Sequence, residues 1–377
     1  MEAERRPDVL ATIRDWHIRR GAPISEHSVM AAAGELGLLL GGDDPAQVVA
    51  ALTADLVGLG PLQPLLELPG LTDIFVNGPD RVWVHDEAGM RRSAVRFASA
   101  AAVRQLAQRL ASRAGERIDD ARPIVDAQLS PTLRLNAVLT PVAAPGTLLS
   151  IRVQRTSPLR LDDLVRRGSL GVAAAGLLRR LVATRLSVMI CGPTGAGKTS
   201  LLSAMIAEVP ARERVLLVEE TPELYPQHPH VVSLRTRSRN ADGYGDIGVR
   251  DLIRQAVRMR PDRIVVGEVR GAEIIELLSA TNSGHPGLLT VHANHPTTLP
   301  ARLTALGALA GMSQQDTFLQ VSTGYDAAIG LAHLPGGLRR VLGVWGWAEH
   351  GLVPVWSFES GNCELLAPGH RIVGALS

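Results

Sequence analysis

An open, mostly parallel sheet flanked by helices is the architecture predicted for the longer part of this 377-residue chain, and three observations predict it. After about residue 165, short apolar runs alternate with amphipathic ones, the strand-helix rhythm of a parallel sheet. One run leads into a glycine-rich turn, Gly192-Pro-Thr-Gly-Ala-Gly-Lys-Thr199, which opens a helical stretch. The residues of most chemical character, Lys198, Glu219, Glu268 and His292, each end or follow an apolar run. Ligands of such sheets bind beyond the carboxyl ends of the strands, so these residues can share one rim.

The strands expected there cover 187–191, 215–219, 231–235, 263–266 and 288–292, with helices after the glycine-rich turn, at 249–259 and at 272–280. Ahead of them the pattern differs. Residues 1–50 read as a helical extension, with Ile13 and Trp16 recurring among charges and Asp43-Asp44-Pro45 opening a second helix. Residues 51–157 read as an α+β module. Its strands at 73–77 and 81–85 are joined by a Gly78-Pro79-Asp80 turn, and a helix over 98–112 and a strand at 148–153 follow. Arg155-Thr-Ser-Pro158 reads as a linker, which makes 158–377 the third domain.

Composition narrows the function. A 46% hydrophobic, 20% charged chain of net charge +2 is an ordinary globular protein. With 3% aromatic residues and arginines scattered among acids, it offers little for nucleic acid. Cys191 and Cys363 have neither metal spacing nor a framework of bridges, which fits a reducing cytosol. The start, Met1-Glu-Ala-Glu-Arg-Arg6, lacks a signal-peptide pattern. No run reaches the roughly 18 uncharged apolar residues of a membrane span, since Arg179, Arg180 and Arg185 break the longest candidate. The expectation is a cytoplasmic chain that meets a membrane only through partners.

The glycine-rich turn has the spacing of a phosphate-binding P-loop. Its Lys198 is the only lysine among 39 Lys plus Arg residues. The loop needs a compact ammonium on the β/γ-phosphates, and a broad guanidinium fork fits poorly there. Residues Gly192, Pro193, Thr194, Gly195, Ala196, Gly197, Lys198, Thr199 and Ser200 form the expected nucleotide cradle, with Thr199 as a Mg²⁺ ligand. Glu219 and Glu220, just past an apolar strand, could position or deprotonate the attacking water, or simply begin an acidic loop before Pro222. Glu268 follows Gly267 where many P-loop enzymes place an aspartate near Mg²⁺, so it either takes that role or is structural. His285 and His292 are seven residues apart, which is no zinc spacing. The one at the strand's carboxyl end, His292, could sense the γ-phosphate, or be satisfied locally. Arg250, Arg254 and Arg258 line one helix face and either pair with neighbouring acids or reach a phosphate across a subunit boundary.

Three segments resemble the boxes of the type II/IV secretion ATPase superfamily: Val218-Glu-Glu-Thr-Pro-Glu-Leu224, Arg260-Pro-Asp-Arg-Ile-Val-Val-Gly-Glu-Val-Arg-Gly271 and Ser283-Gly-His-Pro-Gly-Leu-Leu-Thr-Val-His-Ala-Asn294. The likeness points to the branch that powers tight-adherence (Flp) pilus assembly. It extends back through Leu71-Thr-Asp-Ile-Phe-Val-Asn-Gly-Pro-Asp80, Arg134-Leu-Asn-Ala-Val138 and Leu149-Ser-Ile-Arg-Val153, covering about residues 50 to 357. It implies a RecA-like motor domain behind a smaller PAS-like α+β domain, an ATP- and Mg²⁺-dependent hydrolase, and a homo-hexameric ring. It also implies inner-membrane platform partners and peripheral placement on the inner face of that membrane.

By this resemblance Glu219 is the acidic-box catalytic residue, with Glu220 where the family commonly has Asp. Glu268 is the second-box glutamate and Mg²⁺ ligand, His285 and His292 are the histidine-box positions, and Arg134 and Arg152 face nucleotide. Valine follows Arg152 where lysine is usual, and Ser130-Pro-Thr replaces an acidic-glycine turn. Conjugative DNA transfer and a nucleotide-gated scaffold are the alternative functions.

Overall fold

The computed structural model describes residues 12–13, 15–17, 19–20, 24–37, 45–86, 88–153, 159–237, 245–334, 338–349, 351–358, 363–367 and 370–375. The start of the chain, Asp43-Asp44 and the Arg155 to Pro158 linker lie outside these residues. Packing divides the chain into two compact units, Met1–Thr156 and Ser157–Ser377.

In the first unit, helix α1 (Glu26–Glu35) is capped by Ser25, whose hydroxyl accepts from the Ser28 N–H. It packs with helix α2 (Pro45–Val57) around Ile13, Trp16, Val29, Leu52 and Leu56. The domain edge expected at residue 50 falls inside α2. Strands β1 (Asp73–Val76), β2 (Val82–Asp86) and β3 (Gly89–Arg92) come next, then helix α3 (Ala100–Arg113). Strands β4 (Ile124–Ser130), β5 (Leu133–Val138) and β6 (Leu148–Val153) close an antiparallel sheet of order β3-β2-β1-β6-β5-β4. Alternate residues Ile74, Val84, Ala127, Leu135 and Ile151 are buried with Val103, Leu106 and Leu110 of α3. The intervening residues emerge on the other face. There Asp73, Arg152 and Arg134 stand in one cross-strand row. Arg134 forks onto Asp126 with two bonds of 2.7 Å, and Arg152 lies 3.5 Å from Asp73.

The second unit begins with helices α4 (Leu161–Arg166) and α5 (Val172–Ala183). Strand β7 (Val188–Gly192) leads into helix α6 (Lys198–Ile206), and β8 (Val215–Glu219) and β9 (Val231–Arg235) follow. Next come α7 (Val249–Arg258), β10 (Arg263–Val269), α8 (Ile274–Asn282) and β11 (Gly287–His292). Helices α9 (Leu299–Leu309) and α10 (Gln314–Gly324) precede β12 (Ala327–His333), β13 (Arg339–Ala348), β14 (Gly351–Ser357), β15 (Glu364–Leu365) and α11 (Arg371–Ala375). The nine-stranded sheet has the order β15-β14-β13-β12-β7-β11-β10-β8-β9. From β12 to β9 every pairing is parallel, whereas β13, β14 and β15 add an antiparallel edge.

Strands β7 and β8 are buried at every residue because helices cover both faces. One face packs Leu177, Leu181, Leu202 and Ile206, and the other packs Ile253, Leu277, Leu278 and Leu306. The mostly parallel α/β sheet and the preceding α+β unit are as the sequence predicts. Among the described residues no helix is long and apolar enough to cross a membrane.

Candidate active site

Strand β7 brings the chain to the carboxyl edge at Gly192, and the turn into α6 requires two left-handed residues. Gly195 (φ +77°) and Gly197 (φ +93°) supply them without the strain a Cβ would meet. Their freedom lets the backbone N–H groups of the turn gather at the start of α6, where an anion is favoured. Ala196 is fully buried and anchors the turn in the core. Lys198 is 9% exposed, and its Nζ donates to the carbonyls of Gly192 and Pro193, both at 3.0 Å. Burial lowers its pKa, and the Glu268 carboxylate is the strongest influence opposing that. The ammonium thus lies within the turn, held by two carbonyls that a phosphate would displace. Thr199 and Ser200 begin α6 behind it.

Glu219 ends β8 at 4% exposure. Its Oε1 accepts the backbone N–H groups of Glu223 and Leu224, both at 2.9 Å. Residues 220–224 are therefore folded around a buried carboxyl group, and the turn they make carries Glu223 to the P-loop. There the Thr199 hydroxyl donates to Glu223 Oε2 at 3.5 Å. Gly267 belongs to the same arrangement. A Cβ there would lie 3.1 Å from Glu219 Cγ and 3.4 Å from its Oε1, so the side chain of Glu219 occupies the space of the missing one. The glycine before Glu268 has a packing cause.

Burial pushes the Glu219 pKa from 4.5 up to about 7, against the two backbone hydrogen bonds. Between these values the folded chain binds the proton more tightly than the unfolded chain, so stability falls as pH rises through the window and stays lower above pH 7. The effect is roughly 3 kcal/mol. Glu219→Gln keeps an acceptor for both N–H groups and removes the charge. Its melting temperature at pH 8 is expected to match or exceed that of the wild type, with a flatter profile between pH 5 and 7. A marked fall at pH 8 alone would show that the carboxylate itself holds the turn.

Glu268 stands near the end of β10, and its Oε2 accepts from Arg270 Nη2 at 2.7 Å and Nε at 3.0 Å. Arg270 Nη1 also lies 3.4 Å from Glu220 Oε2, so one guanidinium ties two of the predicted carboxylates together. This pairing raises the Arg270 pKa, the Glu268 hydrogen bonds contributing most. His292 ends β11 in register with Gly192, its Nδ1 3.4 Å from Thr194 Oγ1. Lys198, Thr199, Glu219, Glu220, Glu268 and His292 therefore do share one rim.

His285 does not join them. It precedes β11 at the amino end, with Nδ1 3.3 Å from the Ala280 carbonyl. At ~3.3 Å per residue, a strand's length of roughly 20 Å separates it from His292. Arg250 and Arg254 both bond Glu276, a carboxylate with only 9% of its side chain exposed, and this favours the paired reading of that stripe. Sequence alone does not single out Glu223 and Arg270, which lie within the acidic and second boxes. The spacing of Glu223, four residues past Glu219, is the signal that points to it.

Fold and site define a class: a P-loop nucleotide-binding α/β domain with acidic residues around the phosphate position, preceded by an antiparallel α+β unit. Comparison with known proteins makes it particular. The sequence model of the type II/IV secretion system protein family matches residues 55–322. A Mycobacterium tuberculosis (strain H37Rv) relative, provisionally named a conjugal transfer protein, is 46% identical over 346 residues, covering 89% of this chain and 98% of its own. The type IV secretion system protein VirB11 of Bartonella quintana is 28% identical, covering 63% of this chain and 77% of its own. The conjugal transfer protein TrbB of Rhizobium radiobacter is 34% identical over 52% of this chain and 57% of its own.

Two solved structures share the fold. The pilus retraction motor PilT with bound ADP has a TM-score of 0.56 at 19% identity, covering 78% of this chain and 82% of its own. The ATPase DotB of Legionella pneumophila has a TM-score of 0.54 at 20% identity, covering 74% of this chain and 78% of its own. The chain belongs to the type II/IV secretion system protein family, and it is an ATP hydrolase of that superfamily.

Proposed function

We propose that this chain is a Mg²⁺-dependent motor that works as a homo-hexameric ring on the inner face of the cytoplasmic membrane, held there by platform proteins. It drives assembly of a Flp-type pilus or protein secretion of the type II/IV kind. The division into 1–50, 51–157 and 158–377 belongs to this proposal.

The observation that carries the reading is the convergence of Lys198, Thr199, Glu223 and Glu268 on one rim. The Thr199 hydroxyl and the Glu223 and Glu268 carboxylates are hard oxygen donors. They fit Mg²⁺, which binds through one or two such groups with water and substrate phosphates rather than in a protein cage. When bound, the ion neutralises charge on the β- and γ-phosphates. Lys198 exchanges its two carbonyls for phosphate oxygens as ATP enters, and Thr199 and Glu268 hold the ion, directly or through water. Glu223 takes the proton of the attacking water as the bond to the β–γ bridging oxygen breaks. Its nearness to Thr199 supports this role over Glu219, whose Oε1 is engaged by two backbone N–H groups. Glu220 and Arg270 set the charge beside Glu268, and His292 reports the γ-phosphate to Thr194. The roles of Arg134, Arg152 and His285 toward nucleotide rest on the family likeness alone.

Native mass measurement tests the ring. A six-chain particle that gathers on adding ATP and Mg²⁺ is expected, and a monomer under all nucleotide conditions would refute it. The names of the conjugal transfer relatives favour a second reading, a motor for DNA transfer. It predicts ATP hydrolysis stimulated by DNA, with binding that weakens steeply as salt rises.

A further inference from the structure

We infer that His333 and Arg339 form the nucleoside half of the ATP site, contacting ribose and base; this rests on the ATPase reading above. Strand β7 has two neighbours. On one side lie β11, β10 and β8, which carry every carboxylate of the site. On the other side β12 runs parallel to β7, with Ala327 opposite Val188 and Gly330 opposite Cys191, and ends at His333. Across the antiparallel pairing, His333 stands opposite Arg339 of β13. Both side chains lean on the P-loop. A Cβ at Gly195 would lie 3.2 Å from His333 Nε2, and one at Gly197 would lie 3.6 Å from Arg339 Cδ. Both residues are exposed, and neither bonds a described side chain or carbonyl through its ring or guanidinium.

The polarity of the ligand follows from this asymmetry. Glu268 and Glu223 are the carboxylates nearest in charge to Lys198, and hydrolysis occurs at the γ end of ATP. With its γ end toward β10 and β8, the triphosphate emerges from the turn on the β12 side. Two planar groups await it there, an imidazole and a guanidinium, and both stack on nucleobases and donate hydrogen bonds to sugar or phosphate oxygens. Gly195 and Gly197 thus serve a second need, since a side chain at either would fill the space these two residues share with the loop.

The test uses the full chain with Mg²⁺ and two probes, ATP and inorganic tripolyphosphate, measured by calorimetry for the wild type, Arg339→Ala, His333→Ala and Arg339→Lys. The Kd for ATP is expected to rise about tenfold on either alanine substitution, equal to about 1.4 kcal/mol. The Kd for tripolyphosphate should stay unchanged, which also shows that the P-loop remains folded. Arg339→Lys, with its point charge, should fail on ATP as the alanine variant does. Equal losses on both probes would place the two residues on the phosphates and overturn the inference, as would no loss on either. A wild type that binds neither probe would overturn the ATPase reading itself and this inference with it.

Discussion

Lys198→Ala should abolish ATP binding at working concentrations and lower kcat/KM by about 10³-fold or more, the scale seen when a charge-stabilising group is removed from a phosphoryl-transfer site. Nζ already lies within the turn, against the carbonyls of Gly192 and Pro193, and no other lysine exists in the chain to substitute for it. Neighbouring arginines do not replace it: Arg270 holds Glu268, Arg250 and Arg254 hold Glu276, and Arg339 stands outside the turn against Gly197. Lys198→Arg should fail almost as badly, because a planar fork cannot occupy a pocket closed to 9% exposure around a single ammonium. Calorimetric titration with Mg²⁺-ATP and phosphate release check both variants, with unchanged melting temperatures showing that they fold. Turnover near the wild-type rate in Lys198→Arg would mean that charge alone suffices.

Glu223→Gln is the second large effect. Loss of a positioned base costs 10²- to 10⁴-fold in turnover, and the amide should leave ATP affinity within a fewfold of wild type. Glu219→Gln removes the other candidate without disturbing the acceptor that Glu223 N–H and Leu224 N–H require, so its turnover should fall far less. The two isosteric changes differ in position by one turn of chain, and each serves as the control for the other. Were Glu219→Gln the inactive one, its raised pKa of about 7 would mark it as the base rather than as the centre of the turn.

Strands β7, β8, β10 and β11 were legible because each is largely buried on both faces and therefore reads as an apolar run between helical stretches. Val215-Leu-Leu-Val218 and Ile264-Val-Val266 fall where the sequence puts them. The strands from β12 onward were not legible. In Ala327-Ala-Ile-Gly-Leu-Ala-His333 the glycine is imposed from outside the strand, since a Cβ at Gly330 would come within 2.4 Å of Pro296 Cγ. Gly343 and Gly346 of β13 are likewise forced by the Trp356 carbonyl at 2.2 Å and the His370 ring at 2.1 Å. Small residues chosen by such close approach erase the β-branched signature of a strand. With β12 and β13 unseen, His333 and Arg339 could not be placed beside the P-loop.

Within the site, the residue types were legible but their division of labour was not. The acidic box presents three glutamates, and only the folded turn reveals that Glu219 points inward to two N–H groups while Glu223 reaches Thr199. The histidine box misleads in the opposite way. Its two histidines look like one motif, yet a strand joins them end to end, so His292 meets the P-loop and His285 lies at the far edge of the sheet.

The most direct test of the central claim is the identity of the nucleotide that remains bound after the wild type, Glu219→Gln and Glu223→Gln are each incubated with Mg²⁺-ATP and passed through a desalting column. The account predicts ADP on the wild type and on Glu219→Gln, and intact ATP on Glu223→Gln. Intact ATP on Glu219→Gln with ADP on Glu223→Gln, or no nucleotide on the wild type, would contradict it.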